Sequence, residues 1–533
     1  MTSLLFHVRI DWPGTTDQPG NPAPVAGFFY VRSWPRLCEN AMAGIIRRSQ
    51  HWVSRMKRFI EGENRFQSTL FPESLEDYIA TDNSIRVVDA FVDKLDFKKL
   101  GFERAEPSDT GRPGYLPATM LKIYLYGYLN RIQSSRRLER ESHRNVELIW
   151  LTGRLMPDFK TIADFRKNNG KAIRGVCTEF VGVCRELELF SATLVAIDGS
   201  KFKAVNSRDK TFTRNSVKRR LKKTQANIDR YLAKLDQADR EEPEIREVTA
   251  AELKQKIASM EAKMEELKAH EAEVEAHPDS QVSLTDPDSR SMKKAGGGSS
   301  VGYNVQTAVD SKHHLIAAHE VTNAPTDRHQ LSSMANQAKK ALNAEALTVI
   351  ADPGYYEGQE IVDCYDAGIT ALVPKVDTSG SKAKGRFSKA DFRYDAKANE
   401  YICPAGERLS YRFDSIEKGK TLHVYWTTRC SECPLKADCT TGKERRIKRW
   451  EKEHILEAAD ALLKENPEAM RRRKEIVEHP YGTIKAWTGP THFLMKRLPN
   501  VQTEMSLHVL AYNLKRAINI LGVPRIMQQL RAA

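Results

Sequence analysis

The fold of this 533-residue chain is decided by residues 347–354, Leu-Thr-Val-Ile-Ala-Asp-Pro-Gly. A short apolar run that ends at an acidic residue and a turn is typical of a buried strand. Residues 193–200, Thr-Leu-Val-Ala-Ile-Asp-Gly-Ser, repeat this composition. We therefore predict two core strands, with Asp198 and Asp352 at or near their ends.

The sequence around these two strands alternates between strand and helix patterns. Residues 301–309 and 315–321 are separated by a turn at Asp310, which predicts a β-hairpin. Helix spacing of apolar residues follows at 327–342 and 359–367, and another short apolar strand at 370–374. Long helical patterns close the chain at about 452–485 and 503–521. The order strand, hairpin, helix, strand, helix, strand indicates a mixed α/β core.

Other stretches do not fit that core and predict further units. Heptad-like spacing on both sides of Glu241-Glu242-Pro243-Glu244 predicts an antiparallel helical hairpin. Short helices with tight turns before residue 190 suit a helix-turn-helix-like DNA-binding unit, or a plain bundle with a solvated charged face. The expected divisions are a flexible extension or mis-assigned start at 1–55, a helical DNA-binding domain at 56–190, the core at 191–376 and 452–525, a helical-hairpin insertion at 206–285, and a cysteine-bearing insertion at 377–451.

Charge and hydropathy narrow the class of function. The formal net charge is +14, which favours a polyanionic partner such as nucleic acid, although many basic proteins bind none. No apolar run approaches the roughly 18 residues of a membrane span, and the N-terminus becomes polar too soon for a secretory signal. We therefore expect a cytoplasmic protein without a membrane partner.

Acidic residues stand where a metal-dependent site would need them. Phosphoryl transfer by two divalent cations needs several carboxylates that converge within a few ångströms. Mg²⁺ prefers oxygen ligands and retains waters, so two or three acids suffice. Asp198 and Asp352 come from predicted strand ends, and Glu478 comes from a helical pattern. A single aspartate at a strand end is more often a turn cap, so the prediction depends on all three positions together.

Several motifs carry a resemblance to a known family. From about 56 to 522 the chain resembles bacterial insertion-sequence transposases of the DDE class, whose catalytic core has an RNase-H-like fold. The motifs are residues 196–202 (Ala-Ile-Asp-Gly-Ser-Lys-Phe), 301–306 (Val-Gly-Tyr-Asn-Val-Gln), 350–355 (Ile-Ala-Asp-Pro-Gly-Tyr), 477–485 (Val-Glu-His-Pro-Tyr-Gly-Thr-Ile-Lys) and 510–516 (Leu-Ala-Tyr-Asn-Leu-Lys-Arg). The resemblance implies that Asp198, Asp352 and Glu478 are catalytic and hold Mg²⁺ or Mn²⁺.

The resemblance also implies residues that contact DNA. The family's order Tyr, Arg, Glu, Lys, with two, three and six residues between them, places the lysine at Lys485. Its arginine and tyrosine positions fall on Lys474 and Arg471, and Lys474 would lose bidentate phosphate binding. Glu475 competes with Glu478 but lacks the spacing to Lys485. In the N-terminal helices, the basic residues expected at DNA are Arg136, Arg137 and Arg140.

Four cysteines lie within 37 residues of each other, at Cys403, Cys430, Cys433 and Cys439. The last three have the spacing C-x2-C-x5-C, and four thiolates can close a tetrahedral structural zinc site. Similar cysteines occur in members of the transposase group that the chain resembles. Unmetallated surface thiols are the alternative.

By resemblance, the protein binds the terminal inverted repeats of its element as a homodimer, hydrolyses phosphodiester bonds there with Mg²⁺, and lets the freed 3′-OH attack target DNA. Bacterial cytoplasm, with association to the nucleoid on binding DNA, is the expected location. Two alternatives stay open. One is a catalytically inactive DNA-binding regulator derived from a transposase, against which the presence of all three acids argues. The other is a nuclease that cuts without joining.

Overall fold

Two apolar strands with the composition quoted above lie side by side at the centre of a mixed sheet. The computed structural model describes residues 74–532 except 107–112, 207, 239–242, 294–296, 376–379 and 488–491. The expected extension at 1–55 lies outside the described residues. Ser74–Ala533 forms one compact unit by internal contacts.

Helices occupy the described chain up to residue 186. Pro117 stands in the first turn of its helix, where the missing N–H costs nothing. Buried tyrosines and aliphatic residues from this helix pack with the other helices and with the C-terminal helix in one apolar cluster. The helices are α1 Ile85–Asp93, α2 Phe97–Leu100, α3 Pro117–Leu129, α4 Ser135–Ser142, α5 Val146–Thr152, α6 Phe159–Asn168 and α7 Gly170–Glu186.

The central sheet is mixed, as the α/β patterns predict. Its strands are β1 Leu194–Lys203, β4 Arg290–Lys293, β5 Ser299–Asp310, β6 Ile316–Thr322, β7 Leu347–Ala351 and β8 Ile369–Leu372. Their order is β4-β5-β1-β7-β8, and β6 also pairs with β5. β5 pairs antiparallel with β1, β4 and β6, whereas β1, β7 and β8 run parallel. The expectation of a mixed-sheet α/β core behind a helical N-terminal part is confirmed.

Helices cover both faces of this sheet. One face packs on α10 Leu331–Leu342 and α15 Leu498–Ala532, and the other packs on α14 Ala469–Trp487. Two further helices, α11 Gly358–Asp366 and α13 Glu453–Glu465, border β8. The predicted single helical pattern at 452–485 is wrong in one respect, because Asn466 ends α13 before α14 begins. The C-terminal helix runs from Leu498 rather than from 503, and Gly522 kinks it at a positive φ of 74°.

A helical hairpin leaves the core between β1 and β4, as the heptad pattern predicts. Its arms are α8 Arg214–Ala238 and α9 Pro243–Ala276. The short strands β2 Thr211–Thr213 and β3 Gln281–Ser283 pair antiparallel at its base. Among the described residues, no helix is long and apolar enough to cross a membrane.

The cysteine-bearing stretch folds as a five-stranded antiparallel sheet that the sequence patterns do not predict. It has the order β13-β12-β11-β10-β9, and its own apolar cluster contains Phe392, Tyr401, Leu409, Tyr425 and Ile447. The short helix α12 Lys436–Cys439 precedes the last strand. The strands are β9 Arg393–Asp395, β10 Glu400–Ile402, β11 Arg408–Glu417, β12 Lys420–Trp426 and β13 Ile447–Trp450. The domain boundaries given above stay predictions.

Candidate active site

Strand register brings Asp198 and Asp352 together. Parallel pairing of β1 with β7 ends at Ile197 and Ala351, so the two aspartates that follow are neighbours. The prediction that Asp198 ends its strand is wrong, because β1 continues to Lys203 through antiparallel pairing with β5. Asp198 nevertheless stands where the parallel partner stops. The end of β7 therefore opens the sheet beside Asp198 and leaves both carboxylates at one edge.

One arginine from α14 bridges the two carboxylates. A guanidinium nitrogen of Arg473 lies 2.8 Å from Asp198 Oδ1 and 3.5 Å from Asp352 Oδ2. Burial raises the pKa of Asp198, while the charge of Arg473 lowers it and the charge of Asp352 raises it. Asp352 also accepts a hydrogen bond from the backbone N–H of Gly354, at 2.8 Å. The two carboxylates thus lie close together around one positive group, the guanidinium of Arg473.

Tyr481 fixes α14 to the strands beside this pair. Its hydroxyl lies 2.7 Å from the carbonyl oxygen of Asp198 and 2.8 Å from that of Val305. Its ring is buried next to Phe202. Neither Arg473 nor Tyr481 was singled out from the sequence. The available signal was helix spacing, since Arg473, Val477, Pro480 and Ile484 share the face that packs on the sheet.

Glu478 lies on α14 but is exposed, and no hydrogen bond or ion pair joins it to Asp198 or Asp352 among the described residues. Positions 474, 478, 481 and 485 share one helix face, being four, three and four residues apart. Tyr481 and Lys485 on that face are the members that interact with Asp198. Glu475 lies on a different face, where its charge acts on His314. Glu478 therefore shares a helix face with residues that interact with Asp198, whereas Glu475 does not.

Lys485 stands one helical turn beyond Tyr481. Its ammonium lies 5.5 Å from the Phe202 ring centre and 5.9 Å from that of Tyr481. Burial lowers the pKa of Lys485, and the charge of Asp198 opposes that shift. Lys474 and Arg471 are exposed, and Arg471 forms an ion pair with Glu468 at 2.5 Å. Of these three basic residues, Lys485 is the one whose position the structure ties to Asp198.

The three arginines expected at DNA are all exposed on α4. The guanidinium of Arg136 lies 5.2 Å from the ring centre of Phe159, at the start of α6. Leu138 and Ser142 form the buried side of the same short helix. Arg136, Arg137 and Arg140 thus lie away from the buried side of α4 and are available to a partner.

All four clustered cysteines line a single small cavity in the five-stranded sheet region. The backbone N–H of Gly406 donates to the carbonyl of Cys403 at 2.8 Å, which closes a tight turn where Gly406 has a φ of +83°. Burial raises the pKa of Cys439, with Arg445 opposing and the other three thiols contributing. In the part of the chain that the structure describes, no group of three or more His, Cys, Asp or Glu side chains is placed to hold a metal ion.

Comparison with known proteins finds two domain matches in this chain. Residues 73–168 match a family model described as "Transposase domain (DUF772)", and residues 402–518 match one described as "Transposase DDE domain". No curated protein matches the chain in sequence. A solved piggyBac transposase synaptic complex with hairpin DNA is similar at 8% identity and a TM-score of 0.30, with 84% of this chain and 79% of that chain covered.

The chain thus carries a match to a transposase domain and a match to a transposase DDE domain. These two matches support a DNA transposase, an enzyme that cleaves DNA and transfers the cut strand. The match at 402–518 includes Glu478 and Lys485 but begins after both Asp198 and Asp352 in the sequence. The strand register given above places the two aspartates next to each other, and Arg473 of α14 contacts both.

Proposed function

We propose that Asp198, Asp352 and Glu478 are the catalytic acids of this transposase and that they hold Mg²⁺ or Mn²⁺. The observation that carries the proposal is the register that sets Asp198 beside Asp352 under α14. The donors fit such a cation, because two carboxylates already share one positive group and Mg²⁺ keeps part of its water shell. Glu478 would have to turn inward from its exposed position to join them.

Divalent cations at these acids would activate the attacking oxygen and stabilise the leaving one. The chain's own residues would supply the frame for that chemistry. Tyr481 holds β1 against α14, and Lys485 offers a positive charge to a phosphate of the bound DNA. Water attacks first, breaking the P–O3′ bond and releasing a 3′-OH. That 3′-OH then attacks a target phosphodiester, so one P–O bond forms as another breaks.

The triad is tested by Asp198→Asn, Asp352→Asn and Glu478→Gln, which remove charge and keep shape. Each variant should lose cleavage of labelled element ends by on the order of 10³-fold, about 4 kcal/mol in the barrier, while end binding persists. Glu475→Gln is the matched control, an exposed acid on the same helix that should cleave normally. Near-normal cleavage by any triad variant would remove that residue from the site. Loss of cleavage in Glu475→Gln, together with normal cleavage by Glu478→Gln, would assign the catalytic role to Glu475 instead of Glu478.

For its substrate, we propose that the enzyme recognises the terminal inverted repeats of its own element through α4 and Lys485, and acts on them as a homodimer. The exposed arginines of α4 support the first part. An element has two ends and each chain carries one candidate site, which supports the second. Light scattering of the complex with end DNA should give two chains for each pair of ends. A complex with one chain per pair of ends would contradict the homodimer.

We further propose that Cys403, Cys430, Cys433 and Cys439 bind one structural zinc ion. The support is that the four thiols line one cavity next to the Gly406 turn. Their side chains would need to converge within it, since no three are placed for coordination among the described residues.

Elemental analysis of purified protein should find about one zinc per chain. Cys433→Ser should release the ion and make residues 400–440 sensitive to protease, because the metal site contributes to folding of such small modules. Cys177→Ser is the control, since its thiol lies outside the cysteine cluster and donates to the carbonyl of Ser506 at 3.1 Å, which a hydroxyl can also do. Metal-free protein with a protease-resistant 400–440 stretch would contradict the zinc site.

A further inference from the structure

A second polar cluster lies on the opposite face of β1 from Asp198. Directly paired residues of antiparallel strands share a face, and successive residues alternate. The register pairs Gly199 with Gln306 and Lys201 with Asn304. These positions therefore lie towards α10, whereas Asp198 lies towards α14. None of these residues belongs to the proposed catalytic triad.

Asp327, just before α10, is the centre of this cluster. Its carboxylate accepts from Asn304 Nδ2 at 2.6 Å, Gln306 Nε2 at 2.7 Å and Lys201 Nζ at 3.2 Å. Asn304 and Gln306 are fully buried. One charged side chain therefore ties β1 and β5 together at the level of Asp198.

Gln306 extends the connection to the turn that carries Asp352. The side-chain oxygen of Gln306 accepts a hydrogen bond from the hydroxyl of Tyr355. Tyr355 is buried and ends the short 3-10 turn Pro353–Tyr355 that begins directly after Asp352. Asp327 thus reaches the segments of both aspartates, through Lys201 on one side and through Gln306 and Tyr355 on the other.

The residue next to Asp198 leaves room for this cluster. A Cβ at Gly199 would meet Asp327 Oδ1 and Gln306 Nε2, both at 2.5 Å, closer than real Cβ contacts. Both atoms are held by hydrogen bonds and have little freedom to retreat. The absence of a side chain at Gly199 therefore lets the cluster sit directly behind Asp198.

We infer that Asp327 is a positioning residue, which sets the relative placement of Asp198 and Asp352 for a shared divalent cation without touching the cation or the DNA. The inference rests on the proposed catalytic role of those two aspartates. Residues that orient metal ligands commonly change metal affinity or activity by roughly 10- to 100-fold when mutated. Asn304 and Gln306 both donate to Oδ1 of Asp327, and the ammonium of Lys201 lies 3.2 and 3.4 Å from its two oxygens. An asparagine would keep one accepting oxygen, but it would lose the charge that pairs with Lys201 and would turn an NH2 group towards that ammonium.

The test is the affinity of the purified protein for Mn²⁺, measured by calorimetry, together with the cleavage rate. Asp327→Asn should weaken Mn²⁺ binding and slow cleavage by roughly 10- to 100-fold each, while binding of end DNA stays unchanged. Asp327→Glu, which restores the charge, should recover part of the Mn²⁺ affinity. Tyr355→Phe and Gly199→Ala perturb the same cluster without removing a charge and should act in the same direction.

Asp89→Asn is the matched control. Asp89 is also a partly buried acid paired with a lysine, Lys122, at 2.6 Å, but it lies in the helical part of the chain. It should leave Mn²⁺ affinity unchanged. Effects of Asp327→Asn and Tyr355→Phe should combine to less than their sum, because they disturb one network.

Wild-type Mn²⁺ affinity in both Asp327→Asn and Tyr355→Phe would overturn the inference. If Asp327→Asn does not fold, Tyr355→Phe carries the same test, since it deletes a single hydroxyl. Failure of the proposed function looks different, because there Asp198→Asn itself would still cleave. Loss of cleavage that only follows the fraction of unfolded protein, with Mn²⁺ affinity intact, would assign Asp327 a structural role.

Discussion

The hydroxyl of Tyr481 joins α14 to β1 and β5, and replacing Tyr481 with phenylalanine should show how much this contact contributes to folding stability and how much to catalysis. The change removes one hydroxyl, which lies 2.7 and 2.8 Å from two backbone carbonyl oxygens, and leaves no cavity. Loss of a buried hydrogen bond of this kind costs about 1 to 3 kcal/mol. Because the contact holds β1 at Asp198, we also expect cleavage to fall roughly 10- to 100-fold, the effect of a misplacement on the order of 1 Å.

The assay pairs urea unfolding with single-turnover cleavage of labelled element ends. Tyr124→Phe is the matched control, because that buried hydroxyl also donates to a backbone carbonyl, of Ile162 at 2.6 Å, but it lies within the helical part. Both variants should lose similar unfolding free energy, and only Tyr481→Phe should lose cleavage. Equal cleavage by the two variants would refute the argument that this hydroxyl positions the site.

The effect of Tyr481→Phe should also be independent of pH. Burial, and then the charge of Asp198, hold the pKa of Tyr481 well above its usual range. The hydroxyl therefore keeps its proton through mildly alkaline assays. The ratio of wild-type to variant rates should stay constant between about pH 6 and 9. A ratio that changes through this range would show that the hydroxyl is not a permanent donor.

Three further outcomes are expected. Lys485→Ala should weaken end binding and reduce the slope of log affinity against log salt by about 0.9, the value for one phosphate contact; an unchanged slope would make it a structural lysine. Changing Arg136, Arg137 and Arg140 together to alanine should abolish footprints on element ends while cleavage of a pre-bound substrate persists; a normal footprint would place recognition elsewhere. Burial, and then the charge of Arg166, lowers the pKa of His508 to about 3. His508 should therefore not reduce the free energy of unfolding above about pH 6.5, and below that pH it should reduce it by up to about 1.4 kcal/mol per pH unit; His508→Leu should reduce that slope in acid unfolding curves.

Apolar patterns predicted the central strands well because both faces of those strands are covered. The strand at 347–351 has the bounds that its apolar run indicates. The end of β1 could not be read this way, since residues 198–203, Asp-Gly-Ser-Lys-Phe-Lys, have Phe202 as their one large apolar side chain. Their strand partner is β5, because β7 has already ended. In the sequence, the point at which the parallel neighbour β7 ends therefore resembles the end of β1 itself.

The five-stranded sheet escaped prediction for a related reason. Most side chains of β11 are exposed, and the register shifts between Tyr411 and Phe413. Neither a continuous apolar run nor a clean alternation survives such a bulge. Its core comes instead from single residues on short strands, such as Tyr401 on β10 and Ile447 on β13. A pattern spread over separate short strands gives no local periodicity to detect.

Arg473 shows what spacing rules leave out of the site. It stands in a run of basic residues, and the family order directs attention to its neighbours Arg471 and Lys474, which are exposed. The helix turns by about 100° per residue, so the four consecutive basic residues at 471–474 cannot all share the apolar face of α14. Arg473 is on that face, because Val477, Pro480 and Ile484 follow it at four, seven and eleven positions. The same rule makes Asp198 and Asp352 its partners, since that face packs on β1 and β7. Burial of one cation against two acids, rather than the spacing of motif residues, is therefore what locates the centre of the site.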